Sequence, residues 1–365
     1  MPIINTALTL QDLPPPPPDT LGWPWTKQSQ PLPERMLDGS EWPRISVVTP
    51  SYNQAQFIEE TIRSVLLQGY PNLEYIIIDG GSTDSTLEIL QKYDKYLAYW
   101  VSEPDAGQAN ALNKGFHKAT GELIGWQNSD DYYYRDCFRY AAEAANLLKD
   151  VDIVYGSTNY VDQSHQFSLF IDGAIHVNEQ GASIGSKYVS DFNLLDMIPY
   201  ANMCNQSMFF KRKIFKDGNF IDESFKHAMD YEFFWRLIAR SYKFQLVPEM
   251  MGYYRLHDEA KGCQLDNSCT EEMSKVYKSV YQNVELPLEV KEKLWLYIRG
   301  SCLDNYGKLR LHLFQNNFKE LIALRGFAAL DVTLLSRYLI SLLGVKNLEI
   351  VRKIKNLFKR EALTQ

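Results

Sequence analysis

LIGWQNSDD, at residues 123–131, joins a short apolar run to two adjacent carboxylates. The apolar part is too short to cross a membrane and has the length of a buried β-strand. Asp130 and Asp131 follow where this strand must end, and neighbouring carboxylates repel each other. A divalent cation with a phosphate-bearing ligand would offset that repulsion, because hard cations bind oxygen ligands and bridge to phosphate. Asn, Ser and Asp are also turn residues, so residues 126–131 by themselves favour a polar turn.

Upstream of this stretch, apolar runs alternate with segments of helical periodicity. The runs predict buried strands at residues 45–49, 73–78, 99–102 and 123–126, and Pro50 is expected to end the first of them. Strands that alternate with helices at this spacing predict an α/β fold with a mostly parallel central sheet flanked by helices. Open α/β sheets bind ligands at the carboxyl ends of their strands, where polar residues follow each run.

The motifs at these strand ends exclude some nucleotide sites. No G-x-G-x-x-G follows the first strand, which argues against a dinucleotide-binding fold, and no G-x-x-x-x-G-K-[ST] exists, which excludes a P-loop. The remaining groups are hydroxyls and acids with few cations nearby. A diphosphate in such a site needs a metal, since the carboxylates would otherwise repel it. The carboxylates at the strand ends are those of Asp79, Asp84, Asp105, Asp130 and Asp131.

Composition limits the function further. The net charge is -7, so no global basic field attracts nucleic acid. The chain has no basic-then-apolar leader pattern and no apolar run of spanning length. Five cysteines without C-x-x-C spacing indicate free thiols in a reducing cytoplasm rather than zinc ligands, although Cys263 and Cys269 are close enough in sequence to pair.

Four ordered motifs carry a family resemblance. They are VVTPSYN at 47–53, IIIDGGSTD at 76–84, DAGQANALNKG at 105–115 and NSDD at 128–131. Together they resemble the family-two, inverting glycosyltransferases of the glycosyltransferase-A fold over roughly residues 44–258. The resemblance implies a nucleotide-diphosphate sugar as donor and a divalent metal, Mn2+ or Mg2+, as cofactor.

The resemblance also implies roles at the first two strand ends. Pro50, Tyr52 and Asp79 would border the base of the nucleotide, and Asp79 would accept a hydrogen bond from it. Asp84 is open to two interpretations, a first-turn acid favoured by the helix dipole or a ligand contact. Asp105 is a further candidate for binding the nucleotide sugar.

At the third and fourth strand ends, Gln108 is a further nucleotide-sugar-binding candidate. The Asp-x-Asp element of the family falls on residues 128–130. Asp130 would then contact ribose or metal, and Asp131 would be a second metal ligand. Asn128 stands where many members have Asp, which removes one charge from the metal site.

Residues 152–260 are expected to hold the acceptor. Residues 205–210 predict a strand, on which Gln206 bonds either a sugar or the protein itself. Asp230 begins a predicted helix, as an N-cap or as the base that takes the acceptor proton, and it matches the catalytic acid of the family. Arg255 offers a cation to the leaving diphosphate, and His257 is either structural or a metal ligand.

The chain ends outside the catalytic region have their own character. Residues 1–43 hold ten of the sixteen prolines and predict an extended N-terminal segment. Its Trp23-Pro24-Trp25 patch is expected to dock either on the chain itself or on a partner. The predicted catalytic domain is 44–260, with a nucleotide-sugar half at 44–151 and an acceptor half at 152–260. A C-terminal helical extension follows at 265–365.

The tail differs in charge from the rest of the chain. Residues 311–365 hold nine Lys and Arg against four Asp and Glu, and apolar residues recur there at helical spacing. Such a basic amphipathic helix either lies on an anionic membrane surface or packs on protein. The expected location is therefore cytoplasmic, with peripheral contact at the inner face of the membrane.

These observations predict a metal-dependent inverting transferase. It would move a sugar from a nucleotide-diphosphate sugar to a hydroxyl of a saccharide or lipid-linked acceptor in cell-surface polysaccharide synthesis. The alternative is a catalytically silent nucleotide-sugar-binding or scaffold protein on the same fold. A nucleotidyltransferase is disfavoured, because no Gly-rich, Lys-bearing phosphate loop is present.

Overall fold

The computed structural model describes most of the chain. The described residues are 4–161, 167–171, 174–177, 194–198, 204–260, 267–282, 285–308, 310–325, 332–342 and 344–345. They fall into two compact units, Met1–Cys269 and Thr270–Gln365.

The first unit alternates strands and helices along its first half. Its strands are β1 Ile45–Ser51, β2 Leu73–Asp79, β3 Tyr99–Ser102, β4 Leu123–Trp126, β5 Tyr132–Tyr133, β6 Ile153–Val161, β7 Phe167–Ile171, β8 Ala174–Val177, β9 Met208–Lys211 and β10 Phe244–Arg255. Its helices are α1 Ile58–Leu66, α2 Thr86–Tyr93, α3 Gln108–Lys118, α4 Cys137–Leu147, α5 Lys213–Lys216 and α6 Met229–Ala239.

A single sheet joins these strands in the order β3-β2-β1-β4-β9-β6-β10-β5, with β7 and β8 continuing from β6. β1 to β4 pair in parallel, whereas β9 runs antiparallel to both β4 and β6. The α/β fold with helices around a central sheet is therefore confirmed, and the sheet is parallel in its first half and mixed beyond β4. Its register places Ser51, Asp79 and Ser102 side by side at the carboxyl end.

Two predicted boundaries were wrong. Pro50 does not end β1, which pairs with β2 as far as Ser51. β4 pairs with β1 only up to Val48, so at Pro50 one edge of β1 forms no backbone hydrogen bonds with β4. Proline, which has no backbone N–H, is tolerated at such an edge. Residues Asn205–Ser207 form a short 3-10 turn rather than a strand, and β9 begins only at Met208.

The proline-rich segment lies on the first unit. Ile4 forms an antiparallel bridge with Leu73, at the start of β2. Leu13, Met36 and Trp42 are buried in the same core cluster as β1 and β2. Apolar burial of this kind stabilises the segment on the sheet, in spite of its extended backbone.

The second unit is helical. Its helices are α7 Asn267–Tyr281, α8 Leu288–Gly307, α9 Leu311–Arg325 and α10 Val332–Ser341. Buried apolar side chains such as Leu294, Phe314 and Leu321 form its core. Among the described residues, no helix is both long and apolar enough to span a membrane. The predicted basic helix near residues 350–360 lies outside the described residues.

Candidate active site

Asp79, the last residue of β2, is fully buried and accepts hydrogen bonds from its own loop. Its Oδ2 accepts from the backbone N–H groups of Gly81 and Ser82 at 3.1 and 2.8 Å and from Ser102 Oγ at 2.6 Å. Its Oδ1 accepts from Ser82 Oγ at 2.5 Å. In this structure Asp79 thus fixes the turn after β2, and the base contact inferred for it stays a prediction.

The loops after β1 and β2 are joined by polar contacts. Asp84 accepts from the backbone N–H groups of Thr86 and Ala55, both at 3.0 Å, so it links the start of α2 to the loop after β1. Although burial acts to raise it, these bonds hold the pKa of Asp84 below its ordinary value. The structure therefore gives Asp84 the helix-terminal role, and it leaves Tyr52 beside this junction 60% exposed.

Asp105 connects the third strand end to the second. Its Oδ1 accepts from the backbone N–H of Gly107 at 2.7 Å. The same carboxylate lies against Gly80, where an added Cβ would come within 3.0 Å of Asp105 Oδ2. Glycine at position 80 leaves room for the Asp105 carboxylate, which a Cβ there would displace by a few tenths of an ångström.

Asn128 links three elements through its amide. Its Oδ1 accepts from Trp126 Nε1 and from Gln108 Nε2, both at 2.9 Å. Its Nδ2 donates to Asp131 Oδ2 at 3.1 Å. An aspartate in this place has no N–H to donate, and it would add a second charge beside Asp131. Asn128 therefore supports the neighbouring carboxylate, a role that the sequence did not reveal.

Asp131 is a buried and occupied carboxylate. Arg255 N donates to its Oδ1 at 2.8 Å, and Gln206 Nε2 and Asn128 Nδ2 donate to its Oδ2 at 2.5 and 3.1 Å. Burial, and secondarily the charge of Asp130, raise the pKa of Asp131 to about 7. The sequence suggested a second metal ligand here. In this structure both oxygens of the carboxylate instead accept hydrogen bonds from the protein, three in total.

Asp130 points elsewhere. Its Oδ2 lies 3.1 Å from Nε2 of His257, and its side chain keeps 23% exposure. The His257 ring is buried against Phe57, with the ring centroids 4.6 Å apart, and its Nδ1 has no hydrogen-bond partner within the part of the chain that the structure describes. The two residues thus form an acid–imidazole pair with a partly exposed carboxylate and a buried imidazole.

Arg255 does not face an open site. Its guanidinium is 4% exposed and pairs with Glu60 Oε2 at 2.7 Å. Its Nε donates to the carbonyl of Asp130 at 2.9 Å, and the guanidinium carbon lies 4.7 and 5.2 Å from the rings of Phe57 and Tyr132. This corrects the expectation of a cation for the leaving diphosphate, because Glu60 in α1 already neutralises the charge. Nothing in the sequence singled out Glu60.

Gln206 supports the site from the short turn before β9. The side chain is 1% exposed, and its Nε2 bond to Asp131 gives it a contact inside the protein. Its Oε1 has no partner among the described residues. Of the two alternatives for Gln206, the structure shows the internal bond.

Asp230 lies in the first turn of α6, and its Oδ1 accepts from the backbone N–H of Tyr231 at 2.9 Å. It is half-buried, and the N-cap position itself belongs to Ala228. Burial raises the pKa of the Cys204 thiol, and the charges of Asp131 and Asp230 act in the same direction. The structure thus shows Asp230 bonded within the first turn of α6, and its role as a base stays a prediction.

A metal fits the Asp130–His257 pair. Asp130 Oδ2 and His257 Nε2 lie 3.1 Å apart, so a divalent ion would take the carboxylate and the imidazole as ligands in place of the hydrogen bond between them. The described residues contain no group of three or more such ligands. Mg2+ and similar hard ions require no more, because they keep waters and take the remaining oxygens from a phosphate-bearing substrate.

Known proteins resemble this chain in sequence. Residues 46–218 match the family model described as glycosyl transferase family 2. An uncharacterized glycosyltransferase of Rickettsia typhi is 28% identical over 76% of this chain and 81% of its own length. The putative teichuronic acid biosynthesis glycosyltransferase TuaG of Bacillus subtilis is 42% identical, over 26% of this chain and 38% of its own length.

Solved structures resemble it in fold. Staphylococcus aureus TarS 1-349 in complex with UDP-GlcNAc superposes with a TM-score of 0.60 at 17% identity, covering 82% of this chain and 89% of that one. The mannosyltransferase PcManGT of Pyrobaculum calidifontis, in complex with GDP-Man and Mn2+, superposes with a TM-score of 0.50 at 18% identity. That match covers 80% of this chain and 78% of PcManGT. These two similarities show that the chain has the fold of these glycosyltransferases. Residues 46–218 of this chain thus match glycosyl transferase family 2.

Proposed function

We propose that this glycosyltransferase is metal-dependent and inverting, and that it transfers a sugar from a nucleotide-diphosphate sugar to a hydroxyl of a saccharide or lipid-linked acceptor. The observation that carries the proposal is the Asp130–His257 pair. It combines a partly exposed carboxylate with a buried imidazole at the carboxyl end of β4, where open α/β sheets bind ligands.

The donor would occupy the loops after β1, β2 and β3. These loops are held in place before any ligand arrives, since Asp79, Asp84 and Asp105 all accept backbone N–H bonds within or between them. Tyr52 is exposed and available to border the base. UDP-GlcNAc and GDP-Man in the structures of TarS and PcManGT support a nucleotide-diphosphate sugar of either base.

Asp130 and His257 would hold the metal, and PcManGT with bound Mn2+ supports divalent-metal use. When bound, the ion supplies positive charge for the departing diphosphate. Asp131 would act behind Asp130 as a support that fixes the strand end through Asn128, Gln206 and the backbone of residue 255. Arg255 neutralises Glu60 and contributes to packing rather than to phosphate binding.

Asp230 would be the base. It would take the proton of the acceptor hydroxyl while the hydroxyl oxygen attacks the anomeric carbon from the face opposite the diphosphate. A new glycosidic bond forms as the bond to the diphosphate oxygen breaks, so the anomeric configuration inverts. Its half-buried position in the first turn of α6, at the place of the catalytic acid in the family motif, supports this role.

TuaG, whose name refers to teichuronic acid biosynthesis, supports a role in cell-surface polysaccharide synthesis. We place this role at the cytoplasmic face of the membrane because of the C-terminal residues. α10 carries exposed Leu335 and Leu339, and Leu342 follows it on the same helical spacing. This stripe precedes the basic segment at 346–360, so the two together suit an anionic membrane surface.

Donor binding and turnover test the proposal. The first measurement is a thermal-shift screen of UDP- and GDP-sugars in the presence of Mn2+. One of these donors should raise the melting temperature, because a ligand that binds only the folded state stabilises it. That donor should then be hydrolysed or transferred, and chelation should abolish the reaction. Binding that is independent of metal and gives no turnover would instead indicate a silent binding or scaffold protein.

A further inference from the structure

A second pocket lies between the proline-rich segment and the catalytic domain. Its volume is about 400 Å3, within the range of about 300–1,000 Å3 typical of small-molecule sites. The segment contributes one wall through residues 19–21 and Trp25, and the catalytic domain contributes Tyr132 and Tyr253. We call this the extension pocket. The family match covers residues 46–218, so six of the eight lining residues lie outside it, and five of those six belong to the proline-rich segment.

The wall formed by the segment is anchored. Trp23 also lines the pocket, and its Nε1 donates to the carbonyl of Tyr133 at 2.8 Å. The fully buried Arg63 of α1 donates to the carbonyls of Pro14, Pro24 and Trp25 at 2.8, 3.2 and 3.2 Å. A guanidinium that binds three carbonyls of one segment holds its backbone in one conformation. The extension pocket is therefore preformed.

The opposite wall adjoins the acidic site. Tyr132 directly follows Asp131, and its ring stacks on that of Tyr253 with the centroids 4.4 Å apart. Tyr253 precedes Arg255 by two residues on β10, and the backbone N–H of Arg255 donates to Asp131. The pocket thus shares its supporting elements with the transfer site, although none of its lining residues belongs to the acid–imidazole pair.

We propose that the extension pocket is a saccharide-binding subsite, which holds a sugar unit of the acceptor or of the growing glycan beside the transfer site. The rings of Trp23, Trp25 and Tyr253 keep partial exposure and offer apolar surface for the C–H face of a pyranose. Asp19 and Thr20 offer oxygens for its hydroxyls. The inference rests on the proposed transferase function for the source of the sugar.

The charge of the lining favours a neutral polyol. Among the residues that line the pocket in the described structure, Asp19 is the one charged side chain, and Lys, Arg and His are absent. A diphosphate or a nucleotide placed there would meet repulsion from Asp19, and none of the described lining residues is a cation that would offset it. A neutral saccharide meets neither penalty.

Saturation-transfer NMR with the full chain tests the inference, using maltotriose, cellotriose, mannotriose and chitotriose without nucleotide. The wild type should bind at least one trisaccharide. Trp25→Leu, which keeps the backbone carbonyl that Arg63 binds, should weaken that binding roughly fivefold or more through the lost ring face. Leu21→Ser changes a lining side chain that is 81% exposed, so it should also weaken binding without affecting folding.

Matched controls separate this subsite from general damage. Trp100→Leu removes a tryptophan of β3 outside the pocket, and Leu37→Ser changes a fully exposed leucine of the same proline-rich segment. Both should bind the trisaccharide like the wild type. The inference is overturned if the wild type binds none of the four sugars, or if Trp25→Leu and Leu21→Ser bind as the controls do. It is also overturned if farnesyl diphosphate, rather than a sugar, binds in a Trp25-dependent way.

Donor binding is the readout that keeps the two proposals apart. Stabilisation by UDP-GlcNAc or GDP-Man with Mn2+ should persist in Trp25→Leu and be weakened in Asp130→Asn. Asp130→Asn should leave trisaccharide binding intact. A failure of the transferase proposal would therefore appear in the donor assay alone, and a failure of the saccharide subsite in the sugar assay alone.

Discussion

Nε2 of His257 lies 3.1 Å from Oδ2 of Asp130, although 127 positions separate them in the chain. The loop after β4 supplies the carboxylate, and the end of β10 supplies the imidazole. This pair joins the nucleotide-sugar half to the acceptor half. It is also the place where metal dependence can be tested most directly.

Asp130→Asn should lower transfer by roughly a hundredfold or more, because the leaving diphosphate loses its metal anchor. His257→Gln should shift the Mn2+ concentration needed for half-maximal rate upward. The measurement is a Mn2+ titration of the transfer rate. Asp150→Asn, at an exposed position after α4, is the matched control and should behave as the wild type. An unchanged Mn2+ response in both site variants would contradict the assignment.

Asp230→Asn should also reduce transfer by roughly a hundredfold or more, since the amide cannot take the acceptor proton. Donor and metal binding should stay as in the wild type, because Asp230 contacts neither in the proposed arrangement. The readout is the transfer rate beside a donor thermal shift. Glu232→Gln, two residues further along α6, loses only the ion pair with Arg236 and should keep its activity. Equal turnover in Asp230→Asn and wild type would rule out this base.

Asn128→Asp should destabilise the domain. The new carboxylate loses the N–H that donates to Asp131 and places a second charge near it, at a cost of about 1–3 kcal/mol. Urea unfolding measures the change. Asn146→Asp is the matched control, since Asn146 also donates to a carboxylate, that of Asp38, but at the surface where water screens the charges. If Asn128→Asp were as stable as the wild type, the amide would not be needed.

Arg255→Gln should reduce stability by about 3–5 kcal/mol, because it leaves Glu60 as a buried carboxylate without a cation. The double variant Glu60→Gln with Arg255→Gln should recover part of this loss, and a double-mutant cycle measures the coupling. Arg35→Gln breaks an exposed pair with Glu41 and should have little effect. A variant at Arg255 that stays stable and loses only diphosphate affinity would restore the role first expected from the sequence.

Arg63→Gln should release the proline-rich segment. Three backbone carbonyls would lose their donor, and the open form of the segment should become about tenfold more populated. Limited proteolysis should then cut within residues 1–43 faster than in the wild type. Arg139→Gln loses only a surface pair with Glu143 and should show the wild-type rate. Equal cleavage in all three proteins would mean that apolar burial alone holds the segment.

Local patterns were sufficient for the first half of the fold. The strands at 73–78, 99–102 and 123–126 were found within one residue, since a buried parallel strand is a continuous apolar run. The turn at 205–207 was missed because its polar residues are buried against other elements. Gln206 there is 1% exposed, so its environment is set by Asp131 rather than by its neighbours in sequence.

The sequence by itself determined the class of fold, the edge of the sheet that carries the acids, and the family, because periodicity and ordered motifs are local properties of the chain. Only the tertiary structure decided which of those side chains are already bonded to other residues of the protein. Asp131 receives a hydrogen bond from a residue 124 positions away, and Arg255 is neutralised by a carboxylate 195 positions away. Partners at such separations leave no local pattern, so the difference between a support such as Asp131 and a candidate ligand such as Asp130 appears only when the chain is folded.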